Sequence, residues 1–451
     1  MKLSDIHKVY LLGIGGIGMS ALARYFKANG AEVSGYDRNQ TELTSAVVME
    51  GIRVHFNDEI SKEDLASDLF IYTPAIQKVH PIYSAVQSDD KVWYKRSEIL
   101  QKITELTSTI AISGTHGKTT TSAMVTHLLH QTLGNISGFV GGVMTNYQSN
   151  LVAAPDSKYV VVEADEYDRS FLRLKPELAV ITSLDADHLD IYGTFESLRN
   201  DFQKFADSSE KLILNERLQD QISHNRKLIY GFEQGCDIQA VNVKVVDGRF
   251  EFDIVFEGNA VGNFVSTLAG RHNVENALAA VAVCFAKNCS VDEVRRALTT
   301  FQGVKRRFER IMSNEDVCLI DDYAHHPVEI ESTIGAAREL FPNRKITVIF
   351  QPHLFSRTRD LEDGFVSALG LADEVILLPI YPAREAPIAG VTSSNLLNRV
   401  KLKTKMLVQR SDLLNAVLSL TPETVLTLGA GDIDQLVKPL AIALNKNKNV
   451  E

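Results

Sequence analysis

The sequence predicts an α/β protein of three domains. Three observations carry that expectation. The chain has 451 residues, too many for one hydrophobic core. Two stretches, 8–29 and 109–130, each read as an apolar strand, a glycine-rich turn and a helix. Beyond residue 313, four more strands run into polar or glycine residues, as strands do where an open sheet faces a ligand. The expected boundaries are 1–106, 107–312 and 313–451.

Hydrophobic residues make up 45% of the chain and charged residues 23%, the balance of an ordinary globular protein. A net charge of −10 argues against a nucleic-acid partner and leaves room only for a local anion site. Cys236, Cys284, Cys289 and Cys318 have neither metal-ligand spacing nor disulfide density, and read as reduced thiols of a cytoplasmic protein. The first apolar run is short and broken by glycines, so neither a signal peptide nor a membrane span is expected.

In the first segment, Lys8-Val9-Tyr10-Leu11-Leu12 reads as a buried strand, followed by Gly13-Ile14-Gly15-Gly16-Ile17-Gly18 and a helical run to Asn29. A second strand, 31–36, ends at Asp37. This is βαβ with the glycine spacing of a dinucleotide site and an acid about twenty residues on. The physics of such a loop is more general: it seats a diphosphate on a helix N-terminus. A nicotinamide-dependent oxidoreductase is one reading; a UDP-linked substrate is the other, with Asp37 on the ribose. The strand 68–73 ends at Thr73-Pro74, where the same crevice would lie.

The central segment opens on the strand 109–112 and the loop Ser113-Gly114-Thr115-His116-Gly117-Lys118-Thr119-Thr120, then a helix. This is the end of a phosphate-binding loop of the P-loop type. Its glycines admit phosphate oxygens to the backbone N–H groups, Lys118 neutralises the outer phosphates, and the Thr119 hydroxyl suits Mg²⁺. A chain with this ATP loop more naturally uses the first loop for a UDP-linked substrate. The glycine-rich run 138–143 reads as a close-packed turn. The strand 159–163 runs into Glu163, Asp165 and Glu166, with Glu163 the natural second Mg²⁺ ligand; solvated acids at a strand end are the alternative for all three. His188 follows the next strand, 178–183, at the equivalent place, suited to metal or γ-phosphate. Short strand-like runs between 211 and 265 read as a small antiparallel addition. Asn273 and Asn276 share a face at i, i+3, which suits an adenine edge, with capping as the competing account for Asn273.

The last segment follows the basic run Lys305-Arg306-Arg307, a possible anion site. The strand 317–320 ends in Asp321-Asp322-Tyr323-Ala324-His325-His326-Pro327. The strand 346–350 leads to Gln351-Pro352-His353-Leu354-Phe355-Ser356-Arg357-Thr358-Arg359. Arg357 and Arg359 can hold a carboxylate or phosphate bidentately.

Taken together, the chain resembles the Mur ligases, ATP-dependent amide-forming enzymes of peptidoglycan precursor synthesis. The resemblance rests on nine stretches in register: GIGGIGMS (13–20), SGTHGKTTT (113–121), EADE (163–166), ADHLD (186–190), GRHNVENALAA (270–280), DDYAHHP (321–327), FQPHLFSRTRD (350–360), PIYPAREAPI (379–388) and GAGDI (429–433). It implies an N-terminal Rossmann-like UDP-binding domain, a central P-loop ATPase-like domain and a C-terminal Rossmann-like α/β domain. Within the family the first glycine loop favours the member that adds L-alanine to UDP-N-acetylmuramate over the one that recycles a murein tripeptide. The implied cofactors are ATP and Mg²⁺, and the implied assembly a monomer or homodimer.

The resemblance also implies roles. Lys118, His188, His325 and Arg357 would serve catalysis, with Thr119, Glu163 and His188 around the metal. Residues 114–120, Asn273, Asn276, Arg307 and Asp322 would hold ATP. Gly15, Gly16, Ile17, Gly18, Asp37, Thr73, Tyr323, His325, His353, Arg357 and Arg359 would hold the other substrates. One position departs from the family pattern: Leu354 stands where many relatives have Arg, so Arg357 acts without that neighbour, or Arg359 or Arg384 substitutes.

Overall fold

The computed structural model describes residues 3–186, 189–383 and 385–446. They form three α/β sheets in two compact units. The first unit comprises Met1–Asn242, Phe252–Val265 and Glu275–Gln302; the second comprises Val243–Glu251, Ser266–Val274 and Gly303–Glu451. Among the described residues no helix is long and apolar enough to cross a membrane.

The first sheet has strands β1 (Lys8–Leu12), β2 (Glu32–Tyr36), β3 (Arg53–His55), β4 (Leu69–Tyr72) and β5 (Trp93–Lys95). All pairs are parallel and the order is β3-β2-β1-β4-β5. The order reverses at β1 and β4, so a crevice opens beyond their carboxyl ends. Val9 to Leu12 are fully buried, as a strand covered on both faces must be.

The second sheet holds β6 (Ser108–Ser113), β7 (Ile136–Met144), β8 (Ser149–Val152), β9 (Tyr159–Glu163), β10 (Leu178–Ile181), β11 (Lys211–Asn215), β12 (Lys227–Gly231), β13 (Ile238–Val246), β14 (Arg249–Phe256) and β15 (Asn259–Ser266). Its order is β15-β14-β13-β12-β11-β10-β6-β9-β7-β8. The expected antiparallel addition from residue 211 is corrected: β11 and β12 run parallel to β10, and β13 starts parallel to β12. The helix Phe195–Asp207 crosses between β10 and β11 and returns the chain to the same edge, which dictates parallel pairing. The expected glycine-rich turn at 138–143 lies inside β7. A Cβ on Gly138 would come within 2.3 Å of the Thr126 side chain, and one on Gly141 within 2.5 Å of the Glu163 carboxylate. These glycines allow close approach rather than a bend.

The helix Lys118–Leu133 is anchored through His127. Its Nδ1 lies 2.9 Å from the Tyr147 hydroxyl, and its Nε2 lies 3.1 Å from the Ala297 carbonyl. Burial pushes its pKa down to about 4, and nearby His130 adds to this against the carbonyl bond. The neutral ring therefore stabilises the fold fully above its unfolded value near 6.5, and that stability is lost as pH falls toward 4. The loss amounts to about 3 kcal/mol at most. Urea unfolding at pH 7 and pH 4.5 should show a smaller acid loss in His127→Gln than in the unsubstituted protein; equal losses would refute the assignment.

The third sheet holds β16 (Glu309–Ser313), β17 (Cys318–Asp322), β18 (Ile346–Phe350), β19 (Glu374–Leu377), β20 (Thr404–Leu407) and β21 (Thr424–Leu428). Its order is β16-β17-β21-β18-β19-β20, parallel throughout except for β16. The carboxyl ends of β17, β18, β19 and β21 therefore share one edge.

Candidate active site

The phosphate-type loop joins β6 to the helix Lys118–Leu133. Gly117 caps this helix in the left-handed region, φ 79°, which only glycine adopts without strain. The neighbouring strand end braces the loop. Thr115 N donates to Ser183 O at 3.1 Å, His116 N donates to Ser183 Oγ at 2.7 Å, and Asp185 N donates to Thr115 Oγ1 at 3.0 Å. Asn276 Oδ1 accepts from Thr121 Oγ1 at 3.1 Å and lies 2.7 Å from where a Gly117 Cβ would stand.

Lys118 is folded into its own loop. Its Nζ donates to Gly114 O at 2.6 Å and to Glu166 Oε1 at 2.8 Å. Glu166 is fully buried, so the solvated-acid alternative is wrong for it. Burial pushes its carboxyl up to about 6, against the opposing pull of Lys118. Desolvation acts to lower the Lys118 pKa, but the carboxylates of Glu166, Asp165 and Glu163 outweigh it and the net shift is upward. Lys118 is thus a cation inside the loop.

Thr119 Oγ1 donates to Glu163 Oε1 at 2.9 Å, and Gly141 N donates to Glu163 Oε2 at 2.8 Å. One carboxylate and one hydroxyl are hard oxygen donors. Among the described residues no group of three or more His, Cys, Asp or Glu forms a self-sufficient metal cage. That donor set fits Mg²⁺, which keeps waters and phosphate oxygens in its shell.

At the first glycine loop, Gly15 N donates to Asp37 Oδ2 at 2.8 Å. Asp37 thus pins the loop. Gly16 is the N-cap of the helix Ile17–Ala28, and no side chain caps it. Its first amides are therefore oriented for an anion. A cavity of about 270 Å³ opens here, and Gly16, Ile17, Gly18, Thr73, Glu163 and Asp165 are among the residues that line it. Asn150 of β8 holds the helix start: its Nδ2 donates to Ile17 O and Ser20 Oγ, and its Oδ1 accepts from the buried Arg24.

The second unit gathers its own cluster at the shared strand edge. His325 Nδ1 lies 3.0 Å from Tyr323 O and 3.3 Å from Glu329 Oε2. The His325 and His353 rings are 6.4 Å apart, and His353 stacks on Tyr381 at 5.7 Å. Arg357 Nη1 is 3.4 Å from His353 Nδ1, and the guanidinium groups of Arg306 and Arg307 lie 5.2 and 5.1 Å from the Tyr323 ring centre. Burial pushes His325 down to about 4, aided by Arg357 and opposed by Glu329; burial and Arg357 also lower His353. The His325 ring is neutral at pH 7. Leu354 has φ 70° and ψ 138°, a strained conformation for leucine, and its N donates to Tyr381 O at 2.9 Å.

Several expected site residues are differently engaged. Arg359 is exposed and bonded to its neighbour Asp360 at 2.7 Å, so it does not join His325, His353 and Arg357. The buried Asp322 carboxylate accepts from Phe308 N and Ala324 N, each at 2.7 Å, and burial pushes it up to about 6 despite Arg307. Asn273 Nδ2 donates to Ala269 O at 2.7 Å from inside the helix Arg271–Ala286, a donor role and not the acceptor role of a cap. His188 and Arg384 lie outside the described residues. Sequence reading passed over the loop brace of Ser183 and Asp185, whose only signal is their place at the end of the strand beside β6.

Two glycine loops of the phosphate-binding type, with a part-buried cation and hard oxygens at the second, place the chain among nucleotide-dependent phosphoryl-transfer enzymes. Family descriptions match along its length: "Mur ligase family, catalytic domain" over residues 8–107, "Mur ligase middle domain" over 112–284, and "Mur ligase, glutamate ligase domain" over 306–431. A UDP-N-acetylmuramate–L-alanine ligase of Flavobacterium johnsoniae is 42% identical across 99% of this chain and 100% of its own. The solved UDP-N-acetylmuramate-alanine ligase of Thermotoga maritima superposes with a TM-score of 0.83 at 29% identity, covering 98% of this chain and 99% of that one. A murein peptide ligase of Psychrobacter arcticus shares the fold at TM-score 0.70 and 24% identity, covering 97% and 98%. The chain belongs to the Mur ligase family.

Proposed function

We propose that the protein joins L-alanine to the lactyl carboxylate of UDP-N-acetylmuramate, converting ATP to ADP and phosphate. The product is UDP-N-acetylmuramoyl-L-alanine, a precursor for peptidoglycan and hence for cell-wall growth, shape and division. The observation that supports this most is the single cavity lined both by the first glycine loop and by Glu163. It can hold a diphosphate-linked sugar at one end while presenting a carboxylate to the ATP loop at the other.

In this reading the γ-phosphoryl group passes to a carboxylate oxygen, giving an acyl phosphate. The alanine amine attacks the carbonyl carbon, and the C–O bond to phosphate breaks as the amide forms. Lys118 exchanges Gly114 O and Glu166 for phosphate oxygens and balances their charge. Thr119 and Glu163, with His188, would hold Mg²⁺, which would supply charge neutralisation on those oxygens. His325 donates through Nδ1 to Tyr323 O, which leaves the Nε2 lone pair to accept a hydrogen bond from the alanine amine and orient it. Arg357 holds the amino-acid carboxylate. The domains divide near 106/107 and 312/313, the protein works in the cytoplasm, and it acts as a monomer or homodimer.

The test is phosphate release from ATP and Mg²⁺ with UDP-N-acetylmuramate, comparing L-alanine with L-alanyl-γ-D-glutamyl-meso-diaminopimelate. Release is expected only with L-alanine. Release with the tripeptide alone would move the protein to the recycling ligases, and silence with both would refute the reading.

A further inference from the structure

We infer that Arg96 is a substrate-binding residue, holding the diphosphate of the nucleotide-linked sugar against the first glycine loop. The inference rests on the proposed function and deepens it at one site.

Arg96 opens the helix Arg96–Thr104 directly after β5. The parallel order β1-β4-β5 brings it to the carboxyl edge of the sheet, beside the glycine loop. Its side chain lies over Gly18: a Cβ there would stand 2.8 Å from Arg96 Cδ and 3.0 Å from Nη1. The third glycine of such a loop ordinarily serves helix packing. Here it also makes room for a guanidinium.

Arg96 is half-buried, and among the described residues it makes no hydrogen bond or ion pair. Arg24 and Arg53 of the same sheet region are engaged, by Glu50 and by Glu32, Glu63 and Asp64. A partly desolvated guanidinium without a counter-charge is held at a cost unless a ligand supplies one. Among the described residues Arg96 is also the one cation lining the cavity, which Glu163, bonded to Thr119 of the second loop, and Asp165 line as well. The cavity is therefore positive at the glycine loop and negative at the ATP side. A diphosphate fits the first end, bidentate on the guanidinium and bonded to the helix amides.

The test compares the full-length protein with Arg96→Ala and Arg96→Lys, using UDP and uridine as binding probes and UDP-N-acetylmuramate in the turnover assay. Arg96→Ala should weaken UDP by roughly 10- to 100-fold, leave uridine within about twofold, and raise the KM for UDP-N-acetylmuramate but not for ATP. Arg96→Lys should recover part of the loss, because a point charge lacks the fork. UDP binding unchanged by Arg96→Ala, or UDP and uridine weakened alike, would overturn the assignment. An unsubstituted protein that binds no UDP-N-acetylmuramate would instead overturn the function on which it rests.

Discussion

Lys118→Ala is expected to reduce ATP-dependent phosphate release by at least about 10³-fold while leaving UDP-N-acetylmuramate binding intact. Lys118 is the cation of the ATP loop, and the cavity at the first glycine loop does not include it. The substitution has a second consequence. It strands Glu166, fully buried and paired with Lys118 at 2.8 Å, without that counter-charge. Breaking one side of a buried pair costs about 3–5 kcal/mol. Glu166 can limit the damage by taking a proton, since burial already pushes it up to about 6. The variant should therefore be less stable at pH 8 than at pH 5.5 relative to the unsubstituted protein. The double variant Lys118→Met with Glu166→Gln removes both charges and should recover stability but not turnover. Phosphate release, calorimetric binding of UDP-N-acetylmuramate and urea unfolding read the three effects separately. A folded Lys118→Ala protein that has lost the UDP-sugar as well would contradict the division of labour between the loops.

The sequence exposed the parts whose chemistry is local. The glycines at 13–18 and 114–117, Lys118 and Thr119, and Glu163 at a strand end follow from spacing and apolar runs alone. Long-range packing was hidden. Glu166 and Glu163 look alike in sequence, yet one faces the cavity rim and the other is sealed against Lys118, with Tyr192 donating to its carbonyl at 2.6 Å. Asp322 sits in a polar run like a ligand, but two backbone amides claim its carboxylate. Arg359 and Arg357 are two residues apart on a short helix and so point in different directions; only Arg357 reaches His353. Arg96 is separated from Gly18 by most of a domain and carries no motif. The parallel pairing of β11 and β12 was equally invisible in their composition, because the crossovers between strands set their direction.

Glu163→Gln is expected to reduce turnover on the order of 10²- to 10³-fold and to move its Mg²⁺ dependence to higher concentration. The carboxylate has two partners that fix its aim, Thr119 Oγ1 at 2.9 Å and Gly141 N at 2.8 Å. Glutamine keeps the shape and can still accept one of these bonds, so the fold should lose no more than about 1–2 kcal/mol. What it removes is the negative charge a hard cation needs. Gly141→Ala probes the same point from the other side. Its Cβ would fall 2.5 Å from Glu163 Oε2, so the carboxylate must turn away with its charge unchanged. If Glu163 acts through its position beside Thr119, both variants should need more Mg²⁺ for half-maximal phosphate release. If only its charge matters, Gly141→Ala should behave like the unsubstituted protein. A Glu163→Gln protein with unaltered turnover and Mg²⁺ dependence would remove Glu163 from the metal site altogether and leave it as a brace between β9 and β7.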